Sequence, residues 1–175
     1  MKTVVLGVSG GIAAYKAAAL CSKLTQAGAD VHVIMTENAT EFVTPLSFMT
    51  LSRNPVVTGL FNIPEWRPEH VALADIADIA VIAPATANII GKIANGIGDD
   101  ALSTFMLTFY SKVFIAPAMN PRMYNNPAVQ ENIAKLKERG FQFIGPEAGH
   151  VACGAAGMGR MCEPDKIMEI LLPHL

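Results

Sequence analysis

The amino-acid sequence predicts an α/β fold, a parallel sheet covered by helices on both faces, on three observations. Apolar runs of strand length recur at Thr3–Val8, Val31–Met35, Ile79–Ala83, Val113–Ala116 and Phe141–Ile144, with helical patterns between them. The runs at Ile79–Ala83 and Val113–Ala116 are continuous instead of alternating, as strands buried on both faces are. Hydrophobic residues make up 51% of the 175 and charged residues 16%, rich for one small domain. That surplus predicts a sheet covered on both sides, or subunit contacts that bury still more, and a homo-oligomer is expected. Residues 1–175 together fit one Rossmann-like (flavodoxin-like) domain.

Each element has its own signal. After the first strand, Gly10-Gly11 opens a helical pattern from Ile12 to Gln26 that Gly28 closes as a C-cap. Thr36 to Arg53 starts polar and is partly helical, with an interruption at Pro45. Asn54 to Glu69 holds Pro55, Pro64, Pro68 and Trp66 and reads as an irregular excursion that presents His70. Helices are expected over Val71–Asp78, over Thr86–Ala94 before the Asn95-Gly96 stop, and over Asp99–Thr108. A loop from Pro117 to Asn126 precedes a helix that starts at Pro127 and ends before Gly140. From Gly145 to Met161 the chain is glycine-rich without periodicity, a length at which loops are functional or disordered, and Pro164 starts a last helix.

Composition also excludes roles. A formal charge of −2 with no Lys/Arg block offers no basic face for nucleic acid or for an anionic membrane surface. The first apolar run stops at the Gly7–Gly11 turn, too short for a signal-peptide core or a membrane span, so a cytoplasmic protein is expected. Three cysteines without a C-x-x-C predict free thiols, Cys21 being a packed one. Cys153, Cys162 and His150 share one stretch, but their irregular spacing is not that of a zinc site, and no metal is expected.

Gly7-Val8-Ser9-Gly10-Gly11 lies where strand becomes helix. Small residues there let backbone N–H groups approach a phosphate, and a tight strand-to-helix turn also wants glycine for its own sake. The run is neither G-x-G-x-x-G nor, without the required lysine directly after it, a P-loop. Glu37 stands near the place of a ribose-binding carboxylate in a dinucleotide site, whereas the Ser9 and Thr36 hydroxyls suit a mononucleotide phosphate; the residues leave both open.

Two later strands end alike, in Val81-Ile82-Ala83-Pro84-Ala85-Thr86-Ala87-Asn88 and in Phe114-Ile115-Ala116-Pro117-Ala118-Met119-Asn120. Ligands of open α/β sheets bind outside the carboxyl ends of the strands, so these turns are where a site belongs. Pro84 and Pro117 shape the turns, Ala85 and Ala118 admit a flat ring or a phosphate, and Thr86 and Asn88 are neutral partners suited to a cofactor that changes redox state. Asn120 can hold a substrate carboxylate without the strong stabilisation an arginine would give, which matters if that group leaves as carbon dioxide. Asx turns are the plain alternative for both asparagines. His70 is a candidate base or a helix-capping surface residue. Met119, Met123, Met158 and Met161 read as packing, the first two close to a ring, and Arg160 is a cation available for a substrate phosphate.

In combination Gly7–Lys16, His70, Pro84–Asn88, Pro117–Tyr124 and Ala152-Cys153-Gly154 resemble the homo-oligomeric flavin-containing cysteine decarboxylases, in order along the whole chain. The resemblance is greatest to the phosphopantothenoylcysteine decarboxylase branch. Two departures stand: Thr86 and Ile89 replace the Ser and final Thr of the family's P-A-S-A-N-T, and Tyr124 sits where peptide-cysteine relatives often carry Trp.

The resemblance implies FMN between neighbouring subunits, held by Ser9, Gly10, Thr36, Pro84, Ala85, Thr86 and Asn88. It implies 4′-phosphopantothenoylcysteine as substrate, met by Asn120, Met123, Ala152 and Cys153, with Arg160 added for its charge alone. By the same resemblance His70 is the base as the cysteinyl thiol is oxidised to a thioaldehyde, Asn120 holds the departing carboxylate, and Cys153 protonates the resulting enethiol. Trimers, in some cases assembled into dodecamers, and a phosphopantothenoylcysteine synthetase partner are further family expectations. The alternatives on this scaffold are a peptidyl-cysteine decarboxylase, which needs no Cys153, a flavin prenyltransferase, and a non-catalytic FMN-binding regulatory subunit.

Overall fold

The computed structural model describes residues 1–61, 69–150, 154 and 156–175. Six strands form one parallel sheet: β1 (Thr3–Val8), β2 (Asp30–Met35), β3 (Val56–Val57), β4 (Ile79–Ala85), β5 (Lys112–Pro117) and β6 (Gln142–Phe143), in the order β3-β2-β1-β4-β5-β6. Without the two-residue edge strand β3, the five expected strands lie in the 2-1-3-4-5 order of flavodoxin-like sheets. The order reverses between β1 and β4, where Val5 pairs with both His32 and Ala80. A crevice for a ligand therefore opens above those two strands.

Helices cover both faces. On one side α1 (Ala14–Gln26), α3 (Pro45–Ser52) and α9 (Pro164–Leu171) bury Val4, Leu6, Val8, Leu20, Leu24 and Phe48. On the other α4 (Glu69–Ile76), α5 (Ala87–Asn95), α6 (Ala101–Thr108) and α8 (Pro127–Glu138) bury Val5, Ile82, Ile89, Leu102 and Phe105. Two single-turn helices, α2 (Glu37–Thr40) and α7 (Pro121–Tyr124), sit at strand tips. Alternate residues of β1 thus feed two separate cores, which explains its unbroken apolar run. No described helix is long and apolar enough to cross a membrane.

The sheet departs from expectation in three places. Pro84 and Pro117 lie inside β4 and β5 instead of opening the turns. Pro84 is tolerated because it falls where the β4–β5 register shifts, between Ile82 and Ala85, and Pro117 because it is the last residue of its strand. The strand β3 falls within the stretch read as irregular; Asn54 Nδ2 anchors it to Asp30 Oδ1 at 2.8 Å and to the Val31 carbonyl at 2.9 Å. The glycine-rich segment forms an antiparallel hairpin, β7 (Glu147–His150) with β8 (Ala156–Arg160), and α7 occupies part of the expected 117–126 loop.

Candidate active site

The crevice is built first by Ser9. Its side chain is buried, its hydroxyl donates to the Pro84 carbonyl at 2.7 Å, and it accepts the Thr86 N–H at 3.0 Å. The tips of β1 and β4 are thereby fastened together. Gly10 follows because nothing larger fits: a Cβ there would lie 2.4 Å from Asn38 Cβ and 2.8 Å from the Asn38 carbonyl carbon. Thr36 caps α2, its hydroxyl accepting the Ala39 N–H at 3.3 Å, and Thr86 caps α5 through the Ile89 N–H at 3.4 Å.

Above this corner lies a cavity of about 490 Å³, within the range of small-molecule and cofactor sites. Its lining includes Gly10, Gly11, Thr86, Asn120 and Gly159 together with the apolar or aromatic Ile12, Tyr15, Phe42, Met119, Met123 and Met161. The arrangement suits a flat, largely apolar group whose polar edge meets neutral hydrogen-bond partners.

Asn120 is the N-cap of α7, and its Oδ1 accepts the Arg122 N–H at 2.8 Å. That bond helps to orient the amide. The β7–β8 hairpin is seated on this turn: Met119 N–H donates to the Gly159 carbonyl at 2.9 Å, and the Gly159 Cα approaches so closely that a Cβ would meet Met119 O at 2.2 Å. Glycine is required at position 159 by that contact.

One wall carries charge. Lys16, buried in α1, donates from Nζ to Glu163 Oε1 at 2.8 Å and to the Met161 carbonyl at 3.2 Å. Arg160 also donates to Glu163 Oε1. Hydrogen bonding from Lys16, with Arg160 adding to it against a burial penalty, holds the Glu163 carboxyl below its ordinary range.

The expected residues are not all in one place. Gly10, Thr86, Asn120, Met123 and Arg160 line the cavity; Ser9, Pro84 and Ala85 lie buried just beneath it, and Thr36 stands beside the corner at the tip of β2. Asn88 lies in the first turn of α5, exposed and outside the cavity lining. The backbone of His70 starts α4; its side chain, and Ala152 and Cys153, lie outside the described residues. Sequence reasoning missed Lys16, Tyr15 and Phe42 as cavity residues. A lysine and a tyrosine on an amphipathic helix read as its solvent face, and the partner that buries Lys16 is 147 positions away.

Known proteins resemble this chain along its whole length. It is 53% identical over 176 residues to the coenzyme A biosynthesis bifunctional protein CoaBC of Bacillus subtilis (strain 168), a match covering 99% of this chain and 43% of that protein. The chain thus spans less than half the length of that curated relative. A PPC decarboxylase mutant complexed with pantothenoylaminoethenethiol is similar with a TM-score of 0.87 and 32% identity, over 98% of this chain and 97% of the other. The FMN binding protein AtHal3 is similar with a TM-score of 0.85 and 32% identity, over 98% and 95%. A flavin is therefore the cofactor class of this chain. The Flavoprotein family model matches residues 1–174, from β1 through α9, and the chain belongs to that family.

Proposed function

We propose that the chain is an FMN-dependent carboxy-lyase that converts 4′-phosphopantothenoylcysteine to 4′-phosphopantetheine in coenzyme A biosynthesis. The observation that carries this reading is that the Gly10–Thr86 corner and Asn120 line the same cavity. The residues fit FMN: the glycine turn opens at the start of a helix, Thr36 and Thr86 offer hydroxyls, and the Met and aromatic lining accepts a ring.

When bound, FMN supplies a two-electron acceptor, reduced as the cysteinyl CH2–SH is oxidised and reoxidised as product forms. The chain supplies position and protons. Asn120, whose amide lines the cavity, is suited to a carboxylate, and being neutral it holds that group without stabilising it as strongly as a cation would. Met119, Met123 and Phe42 keep the reacting end apolar, so a departing carbon dioxide is not penalised. We assign the base at the oxidation step to His70 and the proton returned to the enethiol carbon to Cys153, both on the family resemblance.

The test is carbon dioxide release from phosphopantothenoylcysteine by FMN-loaded protein. Cys153→Ser is expected to release about one carbon dioxide per bound flavin and then stop, with enethiol and reduced flavin trapped, and Asn120→Asp or His70→Asn to prevent release. No release from flavin-loaded wild-type protein refutes the reading. We also propose a homo-oligomer, supported by Tyr15, Phe42 and Leu46, which are 60%, 50% and 63% exposed in the single chain. Light scattering that finds a monomer refutes that part. The partner we assign is phosphopantothenoylcysteine synthetase, in keeping with relatives that are named bifunctional and are more than twice as long.

A further inference from the structure

Lys16 and Arg160 come from opposite ends of the chain, α1 and β8, yet both donate to the same oxygen, Glu163 Oε1. The Lys16 side chain is 7% exposed and that of Arg160 44%, so the ammonium is fixed while the guanidinium has room to turn. Both cations line the cavity and Glu163 stands outside its lining. A buried ammonium needs a partner, which Glu163 and the Met161 carbonyl provide. Two cations on one carboxylate still leave a positive charge over, and no other described residue lining the cavity is charged.

That surplus has a definite chemistry. A carboxylate ligand would only match what Glu163 already offers, whereas a phosphate monoester brings about two negative charges and three acceptor oxygens. Its oxygens can take the planar fork of Arg160 while Lys16 keeps Glu163. We propose that Lys16 and Arg160 form a phosphate-monoester subsite and that Glu163 is its resident competitor, holding the guanidinium until an incoming phosphate takes it over. Lys16 is then a positioning residue for the pair, and Arg160 the arm that contacts ligand. This inference rests on the functional reading above, which supplies two sources of the same group: FMN and the phosphorylated substrate.

The experiment uses FMN-loaded protein and measures binding without turnover. Calorimetry gives dissociation constants for 4′-phosphopantetheine and for pantetheine, and desalted protein gives relative retention of FMN and riboflavin. For whichever pair reports the phosphate, Arg160→Ala is expected to reduce the phosphorylated-to-unphosphorylated preference about tenfold, the weight of one charge-assisted hydrogen bond. Arg160→Lys, which keeps the charge but not the fork, is expected to fall between. Glu163→Gln keeps an oxygen for Lys16 and removes the competitor, so the preference should rise several-fold.

A change in the pantetheine pair assigns the subsite to the substrate, and a change in the flavin pair assigns it to the cofactor. Neither ratio moving in Arg160→Ala, or a fall in both with Glu163→Gln, overturns the inference: the triad would then only strap the hairpin to α1 and α9. Failure of the wild type to release carbon dioxide from phosphopantothenoylcysteine counts against the functional reading alone, because the flavin pair still reads the subsite.

Discussion

Replacing Gly159 by alanine tests whether the hairpin and the Asn120 turn act as one unit. The added Cβ would sit 2.2 Å from Met119 O, 3.3 Å from Pro121 N and 3.4 Å from the Asn120 carbonyl carbon, all of them backbone atoms that no rotamer change can move aside. Relief requires the two segments to part by about 1 Å, the shortfall from an ordinary carbon–oxygen contact. The 2.9 Å bond from Met119 N–H to the Gly159 carbonyl does not survive that separation. Losing it costs about 1 kcal/mol, and forcing an L-residue to φ +150° adds about 1–3. A sum of about 2–4 kcal/mol in a chain of this size corresponds to a fall in Tm on the order of 10 °C. Because a displacement of about 1 Å at a reacting group costs on the order of 100-fold, turnover should drop far more than stability alone explains. The assay pairs thermal unfolding of FMN-loaded protein with carbon dioxide release. Gly28→Ala is the control, since φ is +87° there but nothing lies within 4 Å of the added carbon, so it should cost stability and spare turnover. A Gly159→Ala protein that melts within about 2 °C of wild type and turns over within about twofold of it refutes the argument.

Gly10→Ala brings a carbon to 2.4 Å from Asn38 Cβ and should push α2 from the β1 turn; flavin absorbance retained after desalting is expected to fall at least tenfold. Ser9→Ala strands the Thr86 N–H and removes the bond to Pro84 O, for an expected loss of about 1–3 kcal/mol in urea unfolding. Glu163 has a carboxyl depressed from an ordinary 4.5 by Lys16 and then Arg160, so its stabilising contribution is complete above that value. The contribution disappears as pH falls from there through the lower folded-state value. Glu163→Gln should therefore lose less Tm than wild type between about pH 6 and about pH 3; equal losses contradict the assignment. Burial raises the Cys21 thiol to about 11, so alkylation at neutral pH should leave it unmodified in folded protein, as mass spectrometry of the digested chain will read.

The sheet was legible in the residues because β1, β4 and β5 are largely buried and carry apolar runs, and β2 keeps one around the partly buried His32; the edge strand β6 is two residues shorter than expected. Helix starts were legible where a cap reports them, as at Thr86 and Asp100, each accepting the N–H three residues on. The strand β3 was not, since two residues carry no period and Asn54 secures them to a strand 23 positions back. Neither was the hairpin: glycines at 149, 157 and 159 are there for backbone approach and chain reversal, and they erase the alternation by which strands are recognised. In the site, the two Asn-bearing turns pointed to the crevice, but one motif covered two different situations. Asn120 caps α7 at the cavity, while Asn88 falls two residues past the Thr86 cap of α5 and is exposed.

The partnership of Lys16 with Glu163 reaches beyond the cavity. The first helix cannot neutralise its inward-facing ammonium until Glu163 has been synthesised, so the opening βα unit stays provisional until the chain has grown 147 residues beyond Lys16. Replacing Glu163 by an apolar residue would leave the buried cation of the first helix without its carboxylate. Any redesign must therefore treat the two positions as a single inherited character, exchanged together or left alone.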